Sequence, residues 1–322
     1  MFSLLRKEND SGEIMKNAVC PFPLIMAMLL LAPGSGCRSS GPPQEIGPVS
    51  GNFNQGNSPG RIICAAPSIT EIVYALGCGD RVVGVSDFSV HPPPATSKPR
   101  IGGFINPNLE RIISLKPDLV ITQGDHDSLH ALERELGIKR LSVKIDSLSD
   151  LKQAVRILGD RLDRGAEARS LVLELENDLR RIQEKTHDLP RPKVFLSLGH
   201  TPGDLTGLMT SGSGTFLNEL IGIAGGINIF GDIRSLYPKI SKEALILHNP
   251  DIILEICPEG ISPGSRKLLH QDWDRFVSLH RRKPIDIHFI SDDYLLIPGL
   301  RLPLAARKFA HVFHGERFPE DP

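Results

Sequence analysis

A chain of 322 residues with 37 Lys and Arg against 38 Asp and Glu carries a formal net charge of −1. That balance excludes the basic stripe of a nucleic-acid surface, and no nucleic-acid partner is expected. Aromatic residues make up only 5%, with Trp273 the single tryptophan, so any aromatic-lined pocket has to be built from a few Phe and Tyr.

Phe22 to Leu31 (FPLIMAMLLL) is an apolar run of signal-peptide length, too short to span a bilayer, and Met15-Lys16 stands just before it as an alternative start. Beyond residue 40 no apolar run is long enough to cross a membrane as a helix. Pro33-Gly34-Ser35-Gly36-Cys37 ends the run like a lipobox, with Gly34 where Leu is usual. Residues 1–37 are thus expected to be an export signal, and Cys37 the site of a lipid anchor to the membrane. Residues 38–60 are rich in Gly, Pro, Ser and Asn, which bury too little apolar surface to order a chain, and read as a tether. Three cysteines remain beyond it, Cys64, Cys78 and Cys257; none forms a CxxC, so no metal site is expected.

From Arg61 strands and helices alternate. Arg61 to Ala66 reads as a buried strand and Thr70 to Leu76 as a helix, with Ser68 and Glu71 as a capping box and Gly77 as its stop. Strands follow at Arg81 to Ser86, Asp118 to Thr122 and Arg140 to Ile145, with helices at Leu109 to Leu115 and Leu129 to Leu136. This is the pattern of an α/β lobe with a mainly parallel sheet, over 61–147.

A helical region spans 148–190. Leu148 to Leu158 is one helix, and Gly165 to Thr186 a long one with Leu171, Leu175, Leu179 and Ile182 on a stripe, ended by Pro190 and Pro192. The α/β pattern restarts over 191–318. Strands are expected at Val194 to Leu198, Asp251 to Ile256 and Ile287 to Ile290, and helices at Phe216 to Ile223, Lys242 to Leu247 and Leu302 to Phe313. The fold class is therefore α/β, two Rossmann-like lobes with mainly parallel sheets joined by one long rigid helix.

The halves echo each other. Glu110 stands seven residues before Pro117-Asp118, and Glu243 seven before Pro250-Asp251. Glu71 stands six before Gly77, and Glu219 six before Gly225. Two such copies joined by a helix suggest lobes facing across a cleft, a common ligand site. Glu110 and Glu243, each in a first helical turn, would form acidic knobs on equivalent surfaces.

Asn108 to Val120 (NLERIISLKPDLV) resembles the most characteristic block of the helical-backbone, or class III, periplasmic binding proteins of ABC importers for cobalamin, haem and ferric siderophores. Pro67 to Glu71, Gly84-Val85-Ser86, Pro92-Pro93 and Gly225 to Phe230 match in order, so the resemblance covers about residues 60 to 315. It implies that Glu110 and Glu243 dock on the two subunits of an ABC permease dimer. It also implies a corrinoid or other metal-chelate ligand in the cleft, with cobalamin leading and ferric siderophore or haem as alternatives. Loops after strands would line that cleft with Phe88, His91, Phe104, Tyr237, Asp292, Tyr294 and Arg301. His200 lies on such a loop too, and a haem ligand would draw on His91, His200, Tyr237 or Tyr294. Phe and Tyr stand where cobalamin binders more often carry Trp.

Catalysis is not expected. Ser211 to Thr215 is Gly-rich before a helix but lacks the P-loop lysine, and no GxSxG or HExxH occurs. Asp125-His126-Asp127 offers a possible metal cluster, though adjacent residues converge poorly on one ion. A lipid-anchored adhesin using the same lobes without a permease is the remote alternative. No cofactor is expected.

Overall fold

The computed structural model describes residues 58–257, 260–279 and 284–318. The apolar signal segment, Cys37 and the tether as far as residue 57 lie outside the described residues. The first sheet contains β1 (Ile62–Cys64), β2 (Val82–Val85), β3 (Leu119–Gln123) and β4 (Lys139–Val143), in the order β2-β1-β3-β4. The second contains β5 (Lys193–Ser197), β6 (Ile227–Asn228), β7 (Ile252–Ile256) and β8 (Asp286–Ile290), in the order β6-β5-β7-β8. The two orders are the same, and every pairing is parallel. Central strands are accordingly buried on both faces, as in β7, where all five residues, Glu255 included, are buried.

The helices are α1 (Pro67–Ala75), α2 (Leu109–Ser114), α3 (Asp127–Leu136), α4 (Leu148–Arg161), α5 (Gly165–Thr186), α6 (Phe216–Ile223), α7 (Lys242–His248), α8 (Pro263–Leu279) and α9 (Leu302–His314). α4 opens on a full capping box between Ser147 and Asp150. The capping box expected at Ser68 and Glu71 is not formed. α1 begins earlier, with Pro67 in its first turn and Ala66 as N-cap. Ser68 Oγ instead donates to Gln123 Oε1 at 2.5 Å, and Glu71 turns away toward the other lobe.

The sequence repeat is visible atom by atom. Lys116 (φ 46°) and Asn249 (φ 49°) both adopt the left-handed conformation before the prolines that end α2 and α7. Asp118 Oδ2 then accepts from the Gly60 and Arg61 amides at 3.0 and 2.9 Å, and Asp251 Oδ2 from the Lys193 amide at 2.7 Å. Return bonds run from Asp118 N to Arg61 O and from Asp251 N to Lys193 O. In each lobe the Pro-Asp pair thus fixes the register of the two central strands.

α5 has 22 residues and a length of about 33 Å. Its buried line runs Ala168, Val172, Leu175, Leu179, Ile182 and Thr186, and packs against α4, α6 and α9. Leu171, expected on that stripe, is half-buried at its edge. One apolar cluster runs from β1 and α1 through α4 and α5 to α6 and α9, so both lobes share a continuous core. Leu175→Ala is expected to lower unfolding free energy by about 2–4 kcal/mol in urea titration. A loss under about 1 kcal/mol would mean that this face of α5 does not hold the lobes.

Candidate functional site

Because all strands are parallel, the loops after them leave each sheet by its carboxyl edge. Those edges face one another. Phe216 N donates to Asp146 O at 2.6 Å, joining the loop after β4 to the start of α6. Leu148 N donates to Glu219 Oε2 at 2.7 Å. Glu71 Oε1 accepts from Arg301 Nε at 3.0 Å and Nη2 at 2.6 Å, joining α1 to the start of α9. Glu71 and Glu219, paired by the sequence repeat, therefore both reach out of their own lobe.

Arg301 is held from both sides, since its Nη1 donates to Asp293 Oδ1 and Oδ2 at 2.8 and 2.9 Å. Its guanidinium carbon stands 5.7 Å from the Tyr294 ring centroid. Glu71 is buried at 5% exposure, and its Oε2 has no hydrogen-bond partner. Burial pushes the Glu71 carboxyl above its usual range despite the Arg301 contact.

His91 lies on the N-terminal side of this group. Burial and the positive charge of Arg301 lower its imidazole, which keeps it neutral near pH 7. On the same loop Phe88 is 37% exposed and Val90 49%, and Ile105 on the next loop is 48% exposed. Nothing in the sequence signals the exposure of Val90 and Ile105, because apolar residues in loops have no period to separate them from packing. Asp292 and Tyr294 are half-buried across from them. Tyr237 packs on the shared core near Asp146, and burial raises its phenol.

Two of the expected contacts are buried. Phe104 is 6% exposed and built into the N-terminal core, its ring edge-on to His126 at 5.0 Å, so it offers little surface to a ligand. His200 does not reach the cleft. Its side chain is fully buried, with Nδ1 3.6 Å from Glu255 and Nε2 3.4 Å from Asp272, and it packs on Trp273. Neither ring nitrogen has a hydrogen-bond partner; Asp272 accepts instead from the Gly203 amide at 2.6 Å, and Glu255 from Trp273 Nε1 at 3.1 Å. The first bond braces the loop after β5 against α8, a helix absent from the sequence reading, and the second ties α8 to β7. Arg301 lies between Glu71 and Asp293, and each of its three guanidinium nitrogens bonds one of them.

The Gly-rich segment and Asp125 both have structural partners. A side chain at Gly212 would collide with the Ser235 carbonyl, and Thr215 caps α6 by accepting from Asn218 N at 3.2 Å. Asp125 pairs with Arg140 at 2.6 Å, and no metal-binding group of three exists among the described residues. Glu110 and Glu243 are exposed in the first turns of α2 and α7. A bond from its own backbone N–H and one from the Ser241 hydroxyl hold the Glu243 carboxyl below its usual range.

Two parallel sheets meeting by their carboxyl edges across one long helix define a binding protein of the helical-backbone class. The chain belongs to the periplasmic binding protein family, which residues 62–273 match. It is 28% identical over 271 residues to an uncharacterized ABC transporter substrate-binding lipoprotein, YvrC, of Bacillus subtilis, covering 81% of this chain and 82% of that one. It is 29% identical over 255 residues to the vitamin B12-binding protein of Photorhabdus laumondii, covering 78% and 86%. The structure of a periplasmic heme-binding protein of Roseiflexus sp. RS-1 superposes with a TM-score of 0.67 at 26% identity, covering 80% of this chain and 98% of that one. These relatives are binding proteins rather than enzymes.

The raised Glu71 carboxyl sets a sign for pH dependence. The folded chain binds this proton more readily than the unfolded chain, so its stabilising contribution is full below the ordinary value of 4.5 and lost as pH rises through the folded value. Wild-type stability relative to Glu71→Gln should therefore fall as pH rises above 4.5, read by urea unfolding across pH 4 to 8. Parallel curves for the two proteins would contradict this.

Proposed function

We propose that this protein is the substrate-binding component of an ABC importer, capturing cobalamin or a related corrinoid between its lobes and delivering it to the permease. The observation that carries the choice of ligand is Arg301. Its Nε, Nη1 and Nη2 all bond Glu71 or Asp293, so its charge is matched within the protein and this end of the cleft offers a ligand carboxylate no uncompensated guanidinium. A corrinoid edged with neutral amides needs none. The exposed Phe88, Val90 and Ile105 suit the apolar face of a macrocycle, and cobalamin brings its own axial ligands. The vitamin B12-binding relative supports the same reading.

Haem is the second reading, favoured by the neutral, half-buried His91 as an axial donor and by the heme-binding structural relative. Delivery runs through Glu110 and Glu243, one knob per lobe, each meeting a basic pocket on one subunit of a permease dimer. The protein works outside the cytoplasm, held to the membrane by a lipid on Cys37. Calorimetry with cyanocobalamin, haem and a ferric siderophore tests the ligand. Micromolar or tighter binding of cyanocobalamin alone supports the corrinoid reading. Silence with it and a signal from either other ligand overturns that reading and keeps the family.

The docking role has its own test. Removing a hydrogen-bonded charge from an interface costs about 2–5 kcal/mol, so Glu110→Ala with Glu243→Ala should weaken permease binding at least roughly 30-fold. Uptake should collapse while ligand affinity stays unchanged. Equal loss of both would refute the division of labour.

A further inference from the structure

The loop after β2, which carries Phe88 and His91, is held from within by a chain of buried hydroxyls. Thr70 Oγ1 on α1 donates to Ala66 O at 3.0 Å and stands 2.8 Å from Ser89 Oγ, which stands 2.8 Å from Ser86 Oγ. All three hydroxyls are fully buried. Because Thr70 spends its hydrogen on a carbonyl, Ser89 must donate to Thr70 and Ser86 to Ser89, a one-way chain whose bonds reinforce one another. From the other side Arg100 Nη1 donates to the carbonyls of Ser86 and Ser89, each at 2.9 Å. The turn is clamped, and Phe88 projects from it.

The next residue along α1 is Glu71, which takes Arg301 from the opposite lobe. That contact is closely fitted. Glu71 Oε2 faces Gly299, where a side chain's first carbon would come within 2.7 Å of it. A side chain at residue 299 would force the Glu71 carboxylate to shift from its place beside Arg301. Consecutive residues of one helix thus hold the candidate ligand loop and the far lobe. α1 is short, at nine residues, and packed on β1, β3 and α4, so it moves as a unit.

We propose that Thr70 and Glu71 form a coupling element that makes the position of the Phe88–His91 loop depend on the ion pair between the lobes. Thr70, Glu71 and Arg301 are then positioning residues for the ligand, a role that rests on the reading of Phe88 and His91 as its contacts. In the bound state, ligand pressing on this loop tightens the lobe contact, and a loosened lobe contact releases the loop.

Amide hydrogen exchange on the purified protein tests the coupling without any ligand. The reporters are the amides of Ser89 and Val90, bonded to the Ser86 and Phe88 carbonyls. Arg301→Met should speed their exchange about tenfold, a size typical of residues sharing one network. Thr70→Val should do the same, Thr70→Ser should restore the wild-type rate, and the Thr70→Val, Arg301→Met double variant should exchange no faster than the faster single one. Should Arg301→Met not fold, Glu71→Gln carries the same expectation. Faster exchange confined to residues 293–301 and α1, with Ser89 and Val90 unchanged, would overturn the coupling. Titration with cyanocobalamin should show affinity lost in Thr70→Val and Arg301→Met and regained in Thr70→Ser. If wild type ignores cyanocobalamin yet the exchange pattern holds, the corrinoid reading fails and the coupling stands.

Discussion

A carboxylate taken out of water must find a cation, and Glu71 finds its cation in the other half of the molecule. The pairing with Arg301 spans 230 residues and is finished by Asp293, which binds the remaining face of the guanidinium. Burying such a group is costly, and breaking a buried pair by removing one partner costs more than the pair itself contributes. The lobes therefore cannot separate at this point without exposing Glu71 or stranding Arg301. Glu219 makes the reciprocal contact, crossing from α6 to the amide that opens α4. With α5 as a stiff spacer beneath them, these two crossings limit the lobes to small adjustments.

Duplication explains why the crossings come in a pair. Each lobe repeats the strand order, the left-handed residue before proline, and an aspartate that anchors the central strand. Ile112 and Leu245 occupy matching positions on α2 and α7 and are both fully buried, which turns Glu110 and Glu243 outward on equivalent surfaces. A body with two like faces suits a partner with two like subunits. The same architecture leaves the carboxyl-edge loops free to differ, and there the lobes do differ. The N-terminal side supplies the exposed apolar groups Phe88, Val90 and Ile105, and the C-terminal side the polar group Asp292, Asp293, Tyr294 and Arg301.

Much of this was legible in the sequence where local chemistry decides. α5 and α6 were bounded correctly because long periodicity, Gly and Pro mark their ends, and the Glu-Pro-Asp repeat disclosed the duplication. α8 was not, since its charged residues interrupt any apolar stripe and its buried members, Leu269, Trp273 and Phe276, meet the sheet only in the folded chain. Ser68 and Glu71 have the spacing of a capping box, but tertiary partners outbid the local bonds. His200 resembled a loop ligand because nothing nearby in sequence announces Glu255 or Asp272. Those partners lie on β7 and α8, and only packing brings them within 3.6 and 3.4 Å. Arg301 was chosen for its charge, which the fold then neutralises.

The crystal structure of the complex with cyanocobalamin tests the central claim most directly. The account predicts a corrin lying between the two carboxyl edges, in van der Waals contact with Phe88, with the Glu71–Arg301 pair intact and Arg301 making no bond to the ligand. A corrin bound to one lobe alone, or an Arg301 swung away from Glu71 onto the ligand, would contradict it.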